Sequence, residues 1–291
     1  MNSSNVIVRA ARREDALTIA RVVAMAIGDE QALQAYCGDK YLDVLTEVAC
    51  HRATQYSWQY ALIAEVNGVA AGAVVGYDGA RLEILREGTF AVLQAFTGSV
   101  PNIANETEAG EYYLDSVGVL PEFRGIGVGQ ALITAFCDKA YAEGAERVGL
   151  IVDYDNPSAE KLYLSLGFEY VGERTFFGHQ MRHLQRKNNW NIRERVMRSV
   201  NITEFQRRVY LELLNIPRGD TISYGELARR IGCRSAQAVG QALKRNPFAP
   251  DVPCHRVVAV DGSLCGYNGR REGAEIERKR KLLASEHNSR K

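Results

Sequence analysis

A cysteine directly followed by a histidine is the feature with the clearest chemistry in this chain. Cys254 and His255 come after Pro253, whose ring fixes its own φ and makes the approach to the thiol rigid. The thiolate is the nucleophilic form of cysteine, and an imidazole can take up the thiol proton directly or through water. An isolated pair of this kind is more often a structural cysteine beside a surface histidine. The flanking sequence must therefore decide whether Cys254 is a nucleophile.

A glycine-rich turn between a predicted strand and a predicted helix is the second chemical pattern. The strand covers residues 112–119, the turn is Arg124-Gly125-Ile126-Gly127-Val128-Gly129, and the helix covers about 130–143. Glycines let backbone N–H groups approach a phosphate closely, and a helix N-terminus supplies partial positive charge. The pattern alone leaves a plain tight turn open. A Rossmann dinucleotide site is a further reading, because Asp153 and Asp155 follow the next strand.

Hydrophobic periodicity and turn signals predict the elements that position these residues in the first half. We expect strands at 6–9 and 147–152, helices at 13–27 and 41–51, and a hairpin of 61–66 with 69–77 around Asn67-Gly68. Residues 78–110 show no clear pattern. We expect a loop or an insertion over a substrate site there.

Three helices are predicted in the last third of the chain. One begins at Thr203 and ends before Pro217, and two shorter ones cover 224–231 and 236–245. Two short helices across a tight turn form a helix-turn-helix. The second short helix is rich in small side chains, which let a helix backbone approach a partner closely: Ala236, Ala238, Gly240 and Ala242.

Length and composition indicate two globular domains in a reducing compartment. The 291 residues are 46% hydrophobic and 24% charged. We find no signal peptide and no apolar run long enough to span a membrane, so no membrane partner is expected. The six cysteines lack paired spacing, and no metal-ligand spacing is visible. We therefore expect a cytoplasmic protein with free thiols and no metal.

Charge is distributed unevenly along the chain. Residues 1–185 hold 14 Lys/Arg and 24 Asp/Glu, a net charge of −10, whereas residues 186–291 hold 22 and 11, a net charge of +11. A basic C-terminal part is expected of a protein that binds a polyanion. The change near Leu184 predicts a first domain at 1–184, a linker at 185–200 and a second domain at 201–291. The linker is either a docking helix or a loose tether.

The first domain resembles the GNAT superfamily of N-acetyltransferases. The residues that carry this resemblance are Arg124-x-x-Gly127-x-Gly129, the segment from Asn156-Pro157 to Tyr163, and Gly167-Phe168. The resemblance covers roughly Val6 to Leu184. It implies that acetyl-CoA is the acyl donor and that the acceptor is a small amine or a protein amine.

Site residues of the GNAT domain follow from this resemblance. It implies a turn that binds the pyrophosphate, formed by Arg124, Gly125, Gly127, Val128 and Gly129. Val117 and Val119 would provide a strand edge for the pantetheine arm, and Asn156 would be a further cofactor contact. Tyr163 matches the tyrosine that protonates the departing CoA thiolate. Asp115 is the leading candidate for the general base. Glu30, Glu111 and a water chain are alternatives.

The second domain resembles the O6-alkylguanine–DNA alkyltransferases. The matched segments lie between Thr203 and Glu286 and include Ile222–Ala228, Ala238–Ala242, Pro253–Val258 and Leu282–Glu286. The resemblance implies double-stranded DNA with an alkylated guanine as the partner. The damaged base would be rotated out of the duplex, and Cys254 would take its alkyl group permanently.

Roles for individual residues of the second domain also follow from the resemblance. His255 would take the thiol proton through a water, and Glu286 would hold the imidazole in its tautomer. Tyr224 matches a residue that presses on the target phosphate. Asn246 and Tyr267 match pocket residues, and Arg256 would fasten the active-site loop. The helix of Ala238 and Gly240 would dock in the minor groove.

Gln237 departs from the family pattern, which usually has an arginine at this position to fill the gap left by the extruded base. Arg234, one helical turn earlier, would substitute in part. The departure leaves an alternative function open, a module that recognises lesions without efficient transfer. The fold class implied for the chain is α/β (α+β): a GNAT-type mixed twisted sheet flanked by helices, followed by a small, mainly helical, winged helix-turn-helix-like domain.

Overall fold

The computed structural model describes residues 6–176, 178–267, 270 and 272–288. The chain folds into two compact units. The first contains Met1–Tyr141 and Ala145–Asn188, and the second contains Ala142–Gly144 and Asn189–Lys291.

A seven-stranded mixed sheet forms the centre of the first unit. Its strands are β1 (Val6–Ala10), β2 (Ala61–Val66), β3 (Val69–Asp78), β4 (Tyr112–Val119), β5 (Arg147–Asp153), β6 (Glu169–Phe176) and β7 (His179–Lys187). Their order in the sheet is β1-β2-β3-β4-β5-β7-β6. Neighbouring strands are antiparallel, with β4 and β5 as the parallel pair. The predicted mixed α/β fold class is confirmed.

In the described part of this unit, six helices flank the sheet: α1 (Ala16–Ile27), α2 (Glu30–Cys37), α3 (Tyr41–Cys50), α4 (Leu82–Thr97), α5 (Val128–Ala142) and α6 (Pro157–Ser165). Amphipathic periodicity explains the packing of α1, because Ile19, Ala20 and Val23 are buried while Arg21 is exposed to solvent. One core cluster of this unit is formed largely by side chains of α1, α2, α3, α4, β2 and β3.

The expectation of a loop across residues 78–110 is wrong, because α4 occupies 16 of these residues. Its buried face mixes apolar side chains with Arg86 and Thr89, and these two polar residues obscure the helical pattern in the sequence. Gly88 adds a helix-breaking signal of its own. A Cβ at Gly88 would lie 1.9 Å from the Ala53 carbonyl oxygen, so the close approach of these backbones requires glycine.

Residues 185–200 hold ordered elements where the sequence places a linker. Strand β7 continues to Lys187, and helix α7 covers Ile192–Arg198. Asn191 caps α7 in a capping box with Glu194, and Val196 is fully buried in the core of the second unit. The segment therefore contains a helix, and this helix belongs to the second unit.

The second unit is mainly helical. It contains α7, α8 (Glu204–Leu213), α9 (Tyr224–Arg230), α10 (Ala236–Lys244) and α11 (Ala274–Asn288), with the short parallel strands β8 (Ile222–Ser223) and β9 (Val257–Val258). Helices α9 and α10 form the predicted helix-turn-helix and bury Leu227, Val239 and Leu243 in a common core. Among the residues that the structure describes, no helix has the length and apolar character needed to cross a membrane.

Candidate active sites

Cys254 lies at a cleft of about 720 Å³ in the second unit. The residue opens a 3-10 turn, Cys254–Arg256, that leads into β9. The cleft is lined on one side by α10 and on the other by residues 264–267 and Arg270. The residues that line it include Tyr224, Gln237, Gly240, Gln241, Cys254, Cys265 and Tyr267. Cys254 is only 5% exposed, yet it still reaches a space large enough for a base-sized ligand.

His255 and Glu286 form a buried pair directly behind the cysteine. His255 Nε2 lies 2.9 Å from Glu286 Oε1, and both residues are buried. Burial lowers the pKa of His255, although Glu286 acts in the opposite direction. The imidazole is therefore neutral at pH 7. Its Nδ1 atom has no hydrogen-bond partner among the described residues.

Arg256 holds the carboxylate of Glu286 in place. Its Nε donates to Glu286 Oε2 at 2.9 Å and a terminal nitrogen donates to Oε1 at 2.7 Å, while another nitrogen donates to the Ile216 carbonyl. The Gly219 N–H also donates to this carboxylate. Burial alone would raise the pKa of Glu286, but the hydrogen bonds from Arg256, His255 and Gly219 bring it down to about 2.

The thiol of Cys254 is protonated at neutral pH because burial raises its pKa. Asn246, the buried Lys279 and Tyr267 lie near the sulfur and offset this effect in part. The Asn246 side chain also donates to the Val252 carbonyl at 3.2 Å, which holds the segment before Cys254. Such a thiol needs a base to become a nucleophile.

Tyr224, Gln237 and Gly240 line the cleft on the helix-turn-helix side, and the Tyr224 hydroxyl donates to the Cys265 carbonyl at 2.8 Å. Gln237 is exposed on α10. The other two residues predicted to contact DNA in this region, Arg234 and Ala238, lie in the turn before α10 and on α10 itself. Arg256 points instead to Glu286 and Ile216, behind the thiol.

In the first unit, β4 and β5 separate after a short parallel contact. They pair only at Tyr112 with Val148 and at Tyr113 with Gly149. The remainder of β4, with Val117 and Val119, therefore turns an edge toward the gap between the two strands. Extended ligands can add to such an edge through backbone hydrogen bonds.

The glycine turn lies between the end of β4 and the start of α5. Gly125 and Gly127 have φ values of +79° and +88°, and a Cβ at either would meet open space. Arg124 donates to the Val119 carbonyl at 3.1 Å, which ties the turn to the strand. Val128 begins α5, and a Cβ at Gly129 would be in ordinary contact with Val119 and Leu162. This turn at a helix N-terminus fits a pyrophosphate.

Asp115 lies on β4 at a register shift between β3 and β4. Its Oδ2 lies 3.0 Å from the Tyr77 hydroxyl, and its Oδ1 accepts a hydrogen bond from Ser116 at 2.9 Å. Burial and the nearby Glu106 raise its pKa to about 7, while its hydrogen bonds act against this shift. A carboxylate with this pKa accepts protons near neutral pH.

The two alternative bases have other surroundings. Glu30 is exposed in the first turn of α2. Glu111 is buried, and its carboxylate accepts from Thr107 at 2.7 Å and from Gln185 at 2.7 Å, with His183 Nε2 at 2.8 Å. These contacts connect the loop before β4 to β7. They occupy the carboxylate with hydrogen bonds inside the protein.

Tyr163 and Asn156 lie in α6 and at its N-terminus. The Tyr163 ring packs edge-to-face on Phe168 with 5.8 Å between the ring centroids, and burial raises the pKa of its hydroxyl to about 12. The hydroxyl is therefore protonated at pH 7. Asn156 is the N-cap of α6, and its Oδ1 accepts from the Ala159 N–H at 3.1 Å.

Comparisons with known proteins match both units. Residues 30–168 match the acetyltransferase (GNAT) family, and residues 204–288 match the 6-O-methylguanine DNA methyltransferase DNA-binding domain. A solved acetyltransferase structure is 34% identical, with a TM-score of 0.55, and is similar over 62% of this chain and 98% of its own. The chain joins a GNAT acetyltransferase domain to a 6-O-methylguanine DNA methyltransferase DNA-binding domain.

Other relatives agree with this assignment. An N-acetyltransferase from Staphylococcus aureus Mu50 shares the fold of the GNAT domain, at 24% identity and a TM-score of 0.54 over 62% of this chain and 99% of its own. The methylated-DNA–protein-cysteine methyltransferase of Mycobacterium leprae is 56% identical over 68 residues. These residues are 23% of this chain and 41% of that protein, so the chain spans less than half the length of this relative.

The sequence did not indicate several residues of the two sites. In the methyltransferase-type domain, Lys279 is fully buried and donates to the carbonyls of Val257 and Gly266, which ties the strand that follows the Cys254 turn to the cleft residue Gly266. In the GNAT domain, Tyr77 contacts Asp115 directly, and Glu106 contacts Tyr77. A lysine in a charged helix and a tyrosine in an apolar strand carry no local signal for these positions.

Proposed function

We propose that the methyltransferase-type domain transfers an alkyl group from O6-alkylguanine in duplex DNA to its own Cys254. The observation that carries this proposal is the order of groups at the cleft: a reachable thiol, then a buried neutral imidazole, then an ionised carboxylate. This is the arrangement of nucleophile, base and orienting group found in catalytic triads.

The tautomer of His255 follows from its partner. Glu286 stays ionised above a pKa of about 2 and can only accept, so Nε2 carries the imidazole proton. The lone pair of His255 is therefore on Nδ1, the atom without a partner among the described residues. Nδ1 takes the Cys254 proton through a water.

Alkyl transfer forms one bond and breaks one bond. The Cys254 sulfur forms a bond to the alkyl carbon, the bond from that carbon to guanine O6 breaks, and its electron pair returns to the guanine, which takes up one proton while the thiol proton goes to His255. The imidazolium that results at His255 is stabilised by Glu286. The thioether is permanent, so each protein molecule acts once.

Recognition of the lesion requires the base to leave the stack, because the alkyl carbon is inaccessible inside a duplex. The cleft beside α10 would hold the extruded guanine, with Asn246 and Tyr267 in the pocket and Tyr224 against the phosphate backbone. The small residues of α10 would let this helix approach the minor groove, and Gln237 with Arg234 would occupy the gap in the duplex.

A free thiol of this kind fits a reducing compartment such as the cytoplasm.

Stoichiometric titration tests this function. We expect duplex DNA with one O6-methylguanine to be converted to normal DNA in a one-to-one ratio to protein, with the loss of one thiol. Binding of lesion DNA without conversion over hours would instead indicate a recognition module. The Cys254 thiol at the cleft favours transfer.

We further propose that the GNAT domain transfers the acetyl group of acetyl-CoA to an amine. The glycine turn from Arg124 to Gly129 would hold the pyrophosphate, and the free edge at Val117 and Val119 would pair with the pantetheine arm. The acetyl thioester supplies the activated acyl group. Asp115 would take the proton of the attacking amine, and the protonated Tyr163 would donate to the leaving thiolate.

Calorimetry with acetyl-CoA, followed by a panel of small amines and peptides with free amines, tests the second function. We expect binding in the absence of an acceptor and release of free CoA thiol with at least one amine. Lack of acetyl-CoA binding by the folded protein would contradict it.

A further inference from the structure

A buried group of polar side chains lies behind Asp115 in the GNAT domain. The Tyr77 hydroxyl is its centre, 3.0 Å from Gln55 Nε2, 3.1 Å from Glu106 Oε1 and 3.0 Å from Asp115 Oδ2. Gln55, Tyr77 and Glu106 are each at most 3% exposed. Arg86, also buried, forms an ion pair with the other oxygen of Glu106.

The number of polar hydrogen atoms in this group limits which hydrogen bonds can form. Gln55 Nε2 lies 2.9 Å from Glu106 Oε1, so its two N–H groups point to Glu106 and to the Tyr77 oxygen. The Tyr77 hydroxyl has one proton, and two carboxylate oxygens compete for it. One of the two carboxyl groups must therefore carry a proton for all three contacts to be hydrogen bonds.

Asp115 is the carboxyl group that holds this proton. Glu106 is ionised because Arg86 pairs with it, and a protonated Glu106 would leave that buried guanidinium without a counter-ion. The proton of Asp115 thus points to Tyr77, and the proton of Tyr77 points to Glu106. Loss of the Asp115 proton lets the Tyr77 hydroxyl turn toward Asp115, and Glu106 keeps Arg86 and Gln55.

We infer that Glu106 is a positioning residue for Asp115: its negative charge raises the proton affinity of this base, while the Tyr77 hydroxyl that lies between them lowers it. The inference rests on the proposed role of Asp115 in acetyl transfer. Burial is the largest cause of the raised pKa of Asp115, and the directions of the smaller effects agree with the inference, since Glu106 raises this pKa further and Tyr77 lowers it. Arg86 lowers the pKa as well, so the ion pair with Arg86 moderates the influence of Glu106.

The ionisable groups around Asp115 come from several packed elements. They are Tyr36 on α2, Tyr56 before β2, Tyr77 on β3, Arg86 on α4, Glu106 before β4 and Tyr113 on β4. The pKa of each of the four tyrosines is raised, so these hydroxyls stay neutral where Asp115 titrates. Glu106 and Arg86 are therefore the charges that act on Asp115 in this range.

Carbon-13 NMR titration of the Asp115 carboxyl group in the full chain tests the inference without acetyl-CoA or an acceptor. We expect Glu106→Gln to lower the Asp115 titration midpoint by at least about one pH unit, because a like charge is removed. Tyr77→Phe should raise it, because a donor to the ionised form is removed. Glu87→Gln, which removes a charge from the exposed face of α4, should leave the midpoint unchanged.

Glu106→Gln and Tyr77→Phe should shift the Asp115 titration midpoint in opposite directions. Damage to the fold would not produce this pair of opposite shifts. The inference would be overturned if the Asp115 titration midpoint in Glu106→Gln were equal to the midpoint in Glu87→Gln. A rise of this midpoint in Glu106→Gln would overturn it as well. If Glu106→Gln does not fold, a midpoint in Tyr77→Phe that stays or falls overturns it as well. A shift of the expected sign together with no acetylation of any amine would reject the proposed acetyltransferase function and leave the tuning of Asp115 standing.

Discussion

His255 Nε2 lies 2.9 Å from Glu286 Oε1, and Glu286 is held in turn by Arg256 and by the backbone of Gly219. The carboxylate comes from α11 and the imidazole from the turn that carries Cys254. One buried side chain thus determines both the tautomer of the base and the attachment of the last helix to the active-site segment.

Replacing Glu286 by Gln should impair alkyl transfer and stability together. We expect the second-order rate of methyl transfer to fall roughly a hundredfold, because the imidazole loses its orienting anion. The free energy of unfolding should fall by about 3 kcal/mol, since Arg256 is left without its charge partner. Quenched transfer assays and urea denaturation measure the two effects. Glu277→Gln, which changes an exposed carboxylate of the same helix, should alter neither.

The stability that Glu286 contributes should depend on pH in a defined window. Its folded-state pKa is about 2 and its ordinary value is 4.5, so the contribution is complete above 4.5 and is lost as the pH falls through 2. The difference in unfolding free energy between the wild type and Glu286→Gln should shrink across this interval. A difference that stays constant from neutral pH to pH 2 would refute the assignment of the buried ion pair.

In acid, the rate of methyl transfer should fall only when the pH drops below the ordinary pKa of histidine. His255 must be neutral to accept a proton, and burial lowers its pKa from 6.5. We therefore expect the midpoint of the acid limb to lie below pH 6.5 in single-turnover assays at several pH values. A midpoint above 6.5 would mean that the imidazole is not held as described.

Gln237→Arg should speed repair. An arginine at this exposed position beside the cleft has more reach into the duplex and adds a cation, so we expect a gain of about tenfold in transfer rate at low salt. Gln241→Arg adds the same charge one turn further along α10 and also lines the cleft. Equal gains in both variants would show that net charge alone is responsible.

Gly127→Ala should weaken acetyl-CoA binding. The positive φ of +88° strains an L-residue, and the added Cβ enters the open space of the turn. We expect the dissociation constant from calorimetry to rise at least about tenfold, or about 1.4 kcal/mol. Gly68→Ala has the same strain at φ +79° in a hairpin turn and should leave binding intact. Parallel losses in both variants would remove the argument for a phosphate site.

Local sequence patterns predicted the elements whose signals are local. The hairpin around Asn67-Gly68 forms because Asn67 and Gly68 both adopt positive φ, as the turn requires. The helix-turn-helix at α9 and α10 also follows from caps at Ser223 and Ser235 and from small residues. Boundaries differ by a residue or so, because helix ends fray.

Features that depend on distant partners were not predictable in this way. Helix α4 buries Arg86 because Glu106 lies opposite it in a loop 20 residues later, and no local pattern indicates this pairing. The separation of β4 from β5 depends on where the pairing of the two strands stops. Lys279 looks like one charge among many in α11, and only its burial against Val257 and Gly266 distinguishes it.

The position of the alkyl group after reaction tests the central claim most directly, because two thiols, Cys254 and Cys265, line the same cleft. The protein is incubated with duplex DNA that contains one O6-methylguanine, then digested, and the methylated peptide is identified by mass spectrometry. We predict one methyl group on Cys254, an unchanged yield in Cys265→Ser and none in Cys254→Ser. Methyl on Cys265, or methyl transfer that persists in Cys254→Ser, would contradict the account.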